Sequence, residues 1–587
     1  MKEKGSLLYL FVTIILWLAV TACLPLIYAT QTVTEIDAET AVETGTETTA
    51  ETETDTDTDT DTDTNSETTA DSDTDTDSET DTETTADSDK DSDTETKTEI
   101  EIDTDKDTME VTEVSGIESN ATDNEKIESA EEPTQEEVPE QASSIQEDSE
   151  NNPVPVTPDG SGADHDPYII KTFSNLKWLA KQEDTTGYTF LLDGNFEAPT
   201  SSGPIIPDFD GVFIGNNHTI LLEINASDDE PNIGLFGRIG QNGIIKNLHV
   251  SGNVAVTGKE QMVGGIAGVN EGTIENSGSS VNVTGISSEQ FPDGLMGGVA
   301  GHNTTTGIIR NSYSEGNVVR NDDTARKTFG IVDGTISSKS VGIGGLVGGN
   351  FGIIELSFSS GTVEDRPNNG IYTGGLVGIN FGYVNKSYAT GSVSGNILVG
   401  GLIGVNGGSV LDCFSSGNVV ASSDVGGLIG SVGMGCEILR TFSTGDVTSI
   451  AEATSHGSKV GGLIGFDGNE EVLGINNSVA INGNITAYDK SFVPDGRIIG
   501  LSWSWAGKGK VYNRAYIGTK INGEPFSGDG SDANSHRGLD VTLEELMDKN
   551  FWIQTMGWSE DVWSFPPGKL PGIRDIQANG DFTNYSE

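Results

Sequence analysis

The phrase Gly-Gly-apolar-apolar-Gly-x-Asn recurs along the middle of this chain and restricts its fold more than any other feature. It reads GGIAGVN from Gly264, GGVAGHN from Gly297, GGLVGGN from Gly344, GGLVGIN from Gly374 and GGLIGVN from Gly400. Weaker copies begin at Gly426 (GGLIGSV) and Gly461 (GGLIGFD), and GLFG from Gly234 is a divergent first member. A second rhythm follows each phrase. The aromatics Tyr313, Phe358, Tyr388, Phe414 and Phe442 each precede a glycine by three residues (Gly316, Gly361, Gly391, Gly417, Gly445) and a valine by five (Val318, Val363, Val393, Val419, Val447). The unit is too short and too rich in Gly, Val and Ser for a helical hairpin, so it predicts a β-coil.

The fold class expected is all-β: a parallel β-solenoid with small helical or irregular caps, preceded by a long disordered acidic stalk. Successive coils then pair at about 4.8 Å and equivalent residues stack. Leu346, Leu376, Leu402, Leu428 and Leu463 should form one internal ladder and the five aromatics a second. Each buried side chain contributes roughly 1.5–3 kcal/mol, enough to offset the ~0.5–1 kcal/mol cost of a strand glycine. The glycines are expected at corners, with positive φ or close backbone approach. Asn270, Asn303, Asn350, Asn380 and Asn406 are read as a structural row whose amides hydrogen-bond from turn to turn, not as a ligand site.

Five segments follow. Residues 1–29 read as an export signal, with Lys2 and Lys4 ahead of an apolar run from Leu7 to Ala29. Val20-Thr21-Ala22-Cys23 resembles a lipobox, which makes Cys23 a lipidation candidate. Cleavage after Ala29 and retention as an anchor are the alternatives. Residues 30–158 are the stalk. Within it, residues 31–150 hold 44 acidic side chains against 4 lysines, and so carry −40 of the total formal charge of −61. There is almost nothing apolar there to offset the ordering cost of about 1–2 kcal/mol per residue, so the stretch reads as an extended spacer. Residues 159–233 form an N-terminal cap and the first coils, with a helix expected over 173–182. Residues 234–499 are the repeats. Residues 500–587 hold Trp503, Trp505, Trp552, Trp558 and Trp563 and a helix expected over 542–549, and read as a C-terminal cap on the last hydrophobic turn. Beyond Cys23 the cysteines are Cys413 and Cys436, read as free, buried thiols.

The stretch GGLVGINFGYVNKSYATGSVSG from Gly374 to Gly395 resembles the GLUG motif, and such repeats run from about Gly234 to Ile485. The motif occurs in adhesin-like bacterial surface and secreted proteins and in non-catalytic regions of immunoglobulin A metallopeptidases. The resemblance implies export and a β-solenoid, not an activity.

The residues offer little chemistry. HExxH is absent, and none of His165, His218, His249, His302, His456 and His536 pairs with another at metal-ligand spacing. His249 occupies the aromatic slot of the first repeat, so packing accounts for it. No GxSxG elbow lies between a strand and a helix. A polysaccharide lyase or hydrolase on a β-helix is the enzymatic alternative, but Asp365 and Asp412 stand alone and read as solvated charges. The acidic field disfavours nucleic acid. No enzyme activity, metal or cofactor is expected. The expected partner is an extracellular glycan or protein, at the cell surface or after secretion, with membrane contact only through the N-terminal signal or a lipid anchor. Weak binding candidates are Asp322, Asp323, Arg326 and Lys327, in the long interruption from Arg320 to Ser340. Mass spectrometry of the mature N-terminus separates the routes, since a lipidated Cys23 and a free Thr30 differ in mass.

Overall fold

The computed structural model describes residues 153–576, apart from 228–229, 259–260, 287–293, 322–340, 367–371, 434–435, 451–458, 469–473, 489–495, 503–511 and 529. All belong to the second of the two units into which the chain divides, Gln135–Glu587. The export signal, Cys23 and the stalk to residue 152 lie outside the described residues, as does the candidate quartet Asp322, Asp323, Arg326 and Lys327.

One coil illustrates the architecture. Strand Val341–Gly344 enters, Gly345 and Leu346 turn the corner, and Val347–Asn350, Ile353–Glu355, Phe358–Ser359 and Val363–Arg366 complete the circuit. Each strand pairs in parallel with its counterpart in the next coil: Gly344 with Gly374, Val347 with Val377, Ile354 with Val384, Phe358 with Tyr388 and Val363 with Val393. The result is a parallel β-solenoid with four sheets as walls, named here by the strands just given: entry, second, third and fourth. The fourth wall begins with the short strand Phe196–Glu197 and continues with the unbroken strands Thr219–Ala226, His249–Val256 and Gly278–Ile286, and from Tyr313 onward each coil splits its strand in two.

The interior is the leucine column. Leu346, Leu376, Leu402, Leu428 and Leu463 are fully buried, and each leucine N–H before the last donates to the next leucine's carbonyl at 2.8–2.9 Å. The valines of the second rhythm, Val318 to Val447, are equally buried in the same core. Phe190, Phe209, Phe213 and Phe236 fill the first coils, closed by helix α1 (Phe173–Leu179), which inserts Leu176 and Leu179. A capping box between Thr172 and Asn175 starts the helix, which stops three residues short of its expected end.

The glycines are required by close approach, not by φ. A Cβ on Gly375 would lie 2.1 Å from the Gly401 carbonyl oxygen, and one on Gly378 would lie 2.5 Å from the Ile343 nitrogen of the facing entry wall. None of the glycines in the repeated phrase has a positive φ. The left-handed corner lies elsewhere, between the third and fourth walls, at Asn247, Asn276, Asn311, Leu356, Lys386, Asp412, Arg440 and Asn477, with φ of 46–54°. Asparagine tolerates that region, whereas Leu356 or Lys386 there costs about 1–2 kcal/mol, which the packing of adjacent columns must overcome.

Polar columns close the remaining corners. Asn270, Asn303, Asn350 and Asn380 each donate Nδ2 to the Oδ1 of the next asparagine at 2.7–2.8 Å, ending at Asn406, and all five are fully buried. The row stops where Val432 follows Asn406, and starts above Ile239, which leaves Asn270 Oδ1 without a partner. A second buried row, Ser277, Ser312, Ser357 and Ser387, accepts at Oγ from the backbone N–H one coil earlier and donates to the carbonyl two residues back. Cys413 takes the next position of that row and places Sγ 3.0 Å from the Leu411 carbonyl. Both Cys413 and Cys436 are free and buried.

Close approach can be tested directly. A Cβ on Gly391 would meet the Gly361 carbonyl oxygen at 1.9 Å, while one on Gly572 meets nothing within 4 Å. Gly391→Ala should destabilise its coils by about 1–3 kcal/mol or more, and Gly572→Ala should stay within about 0.5 kcal/mol, both read by amide hydrogen exchange.

Candidate functional site

Strand alternation settles which side each column faces, and it places the aromatic ladder outside. In the fourth wall Ser314, Ser359, Ser415 and Ser443 point inward, fully buried, so the preceding Tyr313, Phe358, Phe414 and Phe442 point outward. The expectation of a second internal ladder is therefore corrected: the rings form an outer column. Its register runs Thr219, His249, Gly278, Tyr313, Phe358, Tyr388, Phe414, Phe442 and Val479. From Tyr313 to Phe442 successive centroids are 5.3, 5.0, 4.8 and 4.8 Å apart with interplanar angles of 10° or less. Each such pair contributes about 0.5–1.5 kcal/mol beyond area burial. His249 stacks on Tyr313 at 6.1 Å across Gly278, as its slot predicts.

An outward row of rings needs a cover, and the C-terminal segment supplies it. Helix α2 (Leu543–Leu546) starts at a capping box between Thr542 and Glu545, and a single π-type turn, Phe551–Thr555, follows. The chain then lies along the outer column as a strap. Trp552, Trp558 and Trp563 reach 6.2, 6.1 and 6.0 Å from Phe442, and Trp563 lies 6.4 Å from Phe414. All three indoles are buried and donate: Trp552 to the Leu546 carbonyl, Trp558 to the Asn477 carbonyl and Trp563 to Asp412 Oδ1, at 2.8–2.9 Å. These tryptophans thus cover a flank and not the last turn. Trp503 and Trp505 lie outside the described residues. At the last coil, the fully buried Arg497 donates to Asp540 and to the carbonyls of Tyr516, Arg537 and Gly538, and stacks on Phe526.

Asp412 is likewise not a solvated charge. It is 3% exposed and accepts both Nε and Nη2 of Arg440 at 2.6 Å as well as the Trp563 indole. Asp412 and Arg440 occupy the same left-handed corner in successive coils, a pairing visible in the sequence once the corner is aligned. Asp365 is also buried, in register with buried Arg320. Other charges pair too: Arg238 with Glu271 at 2.8 Å, Arg310 with Glu355 at 3.5 Å and Lys386 with Glu355 at 3.7 Å. Among the described residues, no group of three or more His, Cys, Asp or Glu side chains could hold a metal ion.

The cover thins toward the N-terminal coils. Tyr388, Phe414 and Phe442 are 2–3% exposed and Phe358 8%, whereas Tyr313 and His249 are only half-buried. There the outward positions of the unbroken strands line up in rows from coil to coil. Leu221, Ser251 and Ser280 make one row, and Glu223, Asn253 and Asn282 make the next. Glu315 and Asn317 continue outward from Tyr313, both exposed. Asn253 Nδ2 donates to Glu223 at 3.1 Å, and Asn282 Oδ1 accepts the Asn317 N–H at 3.2 Å, which fixes the amide row. Elsewhere, Phe351 and Phe381 form an exposed stacked pair at 5.3 Å, with His302 edge-on to Phe351.

Three groups of known proteins resemble the chain. Residues 293–319, which span one glycine corner, Asn303 and Tyr313, match the family described as the GLUG motif. A protein of Evansella cellulosilytica named a Gly-rich membrane protein is 33% identical over 129 residues, 20% of this chain and 15% of its own length. Halomucin of Haloquadratum walsbyi is 26% identical over 167 residues, 26% of this chain and 2% of its own. The chain therefore spans only a small part of either relative. A crystal structure of a Bacteroides ovatus protein described as an immunoglobulin A1 protease aligns with a TM-score of 0.29 and 18% identity, over 71% of this chain and 94% of that one.

Two predictions follow from the strap and from the buried titratable groups. Trp563→Phe keeps the ring but removes the donor to Asp412, a loss of about 1.5–3 kcal/mol, so the segment 542–576 should be cut faster by protease while the coils remain resistant. Burial depresses the imidazoles of His249 and His302 below the ordinary 6.5, with Glu315 and Glu271 respectively opposing the shift. Their contribution to stability is then full above pH 6.5 and is lost as pH falls through the lower folded values. Burial has the opposite consequence for the Cys436 thiol, pushed up to about 12 from 9.0, whose contribution is full below pH 9 and lost as pH rises from there toward 12. Stability against pH should therefore fall at both ends, and His302→Phe should flatten the acid limb.

Proposed function

We propose that this chain is an exported cell-surface or secreted protein whose solenoid serves binding or adhesion without catalysis. The observation that carries this reading is the use of side chains. Ion pairs, amide rows and stacked rings engage most of the buried polar and charged groups described above, and what remains outward repeats from coil to coil. Such a surface suits an extended ligand better than a small reacting molecule, for which convergent groups in a concave site are the general rule. The lysine-led apolar N-terminus supports export. The names of the two relatives, a membrane protein and a halomucin, are in keeping with a place at the cell surface. The ligand class is an extracellular glycan or protein, and the acidic field argues against a polyanion.

The full chain should be applied to a glycan array and a panel of extracellular matrix proteins, with reducing-sugar release measured on every glycan that binds. Binding without turnover is expected. Release of reducing ends above that of a buffer control would make the chain a β-helix carbohydrate enzyme and overturn the proposal.

A further inference from the structure

The third wall turns two columns outward. Its strands Val212–Ile214, Ile244–Lys246, Thr273–Glu275, Ile308–Arg310, Ile353–Glu355 and Tyr383–Asn385 bury their middle residues, so the first and third of each face away from the core. The first column reads Val212, Ile244, Thr273, Ile308, Ile353 and Tyr383, all half-buried. The other reads Leu191, Ile214, Lys246, Glu275, Arg310, Glu355, Asn385 and Leu411. Both columns match their own reverse about one point, midway between the Glu275 and Arg310 coils, and there the charged column inverts its sign. Reversed on itself it sets Lys246 against Glu355 and Glu275 against Arg310, with Ile214 against Asn385 and Leu191 against Leu411 beyond them. The first column, reversed about the same point, sets Ile244 against Ile353, Thr273 against Ile308 and Val212 against Tyr383. The four charges sum to zero, on a chain whose formal charge is −61.

We infer that this face pairs with the same face of a second copy of the chain, about a two-fold axis that runs along the strands and reverses the direction of the coils. Across such an axis each residue meets a partner that meets it in return, and the two columns supply a matching partner at every step. Sheets packed face to face stand about 10 Å apart, which brings the half-buried isoleucines of both copies together between the charges. Charge fixes the arrangement. With the axis on the Glu275 coil, Lys246 would meet Arg310 of the second copy, and with it on the Arg310 coil, Glu275 would meet Glu355. A copy running parallel would instead set Lys246 over Ile244 and Glu355 over Ile353. Within one copy Arg310 lies 3.5 Å and Lys386 3.7 Å from Glu355, so the charged row is ordered before it pairs. The two N-terminal coils then lie at opposite ends of the pair, which joins copies that approach from opposite directions. The inference goes beyond the binding role proposed above and does not depend on it.

The test is sedimentation velocity of the full chain over a concentration series, in about 0.15 M salt to screen its acidic field beyond about 8 Å, with Glu275→Lys and Arg310→Glu as variants. The parent should pass from monomer to dimer as concentration rises. Each variant alone meets like charge twice across the axis and should pair at least about tenfold more weakly. Mixed in equal amounts the two are complementary again: the unchanged Glu275 of one meets the unchanged Arg310 of the other, and the two substituted positions carry opposite charges. The mixture should therefore regain the dimerisation of the parent, which misfolded variants could not do. Arg310→Gln, which removes the charge at an exposed position without reversing it, should weaken pairing by a smaller factor. A parent that stays monomeric at about 0.1 mM, a dimer that no variant weakens, or a mixture as weak as its components would overturn the inference and leave the binding role intact. Glycan or matrix-protein binding that these variants abolish in a monomeric chain would also overturn it, by assigning the face to that ligand.

Discussion

Parallel stacking in register is the constraint from which the rest of this molecule follows. Every position in a coil lies over its counterpart about 4.8 Å away, so a side chain is judged by whether a column of its kind can exist. Leucine and valine columns fill the interior because identical branched chains pack on themselves. Asparagine columns survive full burial because an amide is both donor and acceptor, so Asn303 and Asn350 satisfy one another along the axis. Glycine columns occur where no column of side chains has room: at Gly391, Gly417 and Gly445 the neighbouring carbonyl would meet a Cβ at 1.9–2.0 Å.

The same constraint explains what the sequence reveals and what it conceals. Leu376, Val393, Asn380 and Gly378 repeat at coil spacing, and their columns can be read from the chain alone. Spacing does not say which side of a wall a column occupies. Tyr388 and Phe414 repeat as faithfully as the leucines, yet they face outward, because what covers them comes from Trp558 and Trp563, about 150 residues downstream and outside the repeat. Asp412 looked solitary for a related reason: its partner Arg440 occupies the same corner one coil on, and the two pair only when corners are aligned. The left-handed corner was hidden because asparagine, leucine, lysine, aspartate and arginine share it, and no single residue type marks it.

Cys413 shows how far a slot can govern chemistry. In isolation a thiol invites questions of reactivity or pairing. In its column it stands where Ser387 and Ser357 stand, aimed at a carbonyl two residues back, and burial raises its pKa well above the usual thiol range. A thiol held neutral and out of solvent behaves as a larger serine of weaker hydrogen bonding, and Cys436, buried elsewhere, gives it no partner.

A solenoid also has to stop, and here stopping and covering are separate tasks. At the last coil, Arg497 is fully buried and directs its guanidinium to the carbonyls of Tyr516, Arg537 and Gly538 and to Asp540, which saturates backbone groups that a further coil would otherwise pair. The tryptophan strap has no part in that closure. It runs along a flank, where ring edges exposed in series would form an apolar stripe prone to association. Because the strap covers the coils from Phe358 to Phe442 and leaves Tyr313 and His249 half-open, one outer face is divided between a stretch the protein uses on itself and a polar stretch it leaves to solvent. The division falls one coil beyond a change in the wall: the unbroken strands of eight or nine residues end with Gly278–Ile286, and the Tyr313 coil, still half-open, already has its strand split in two.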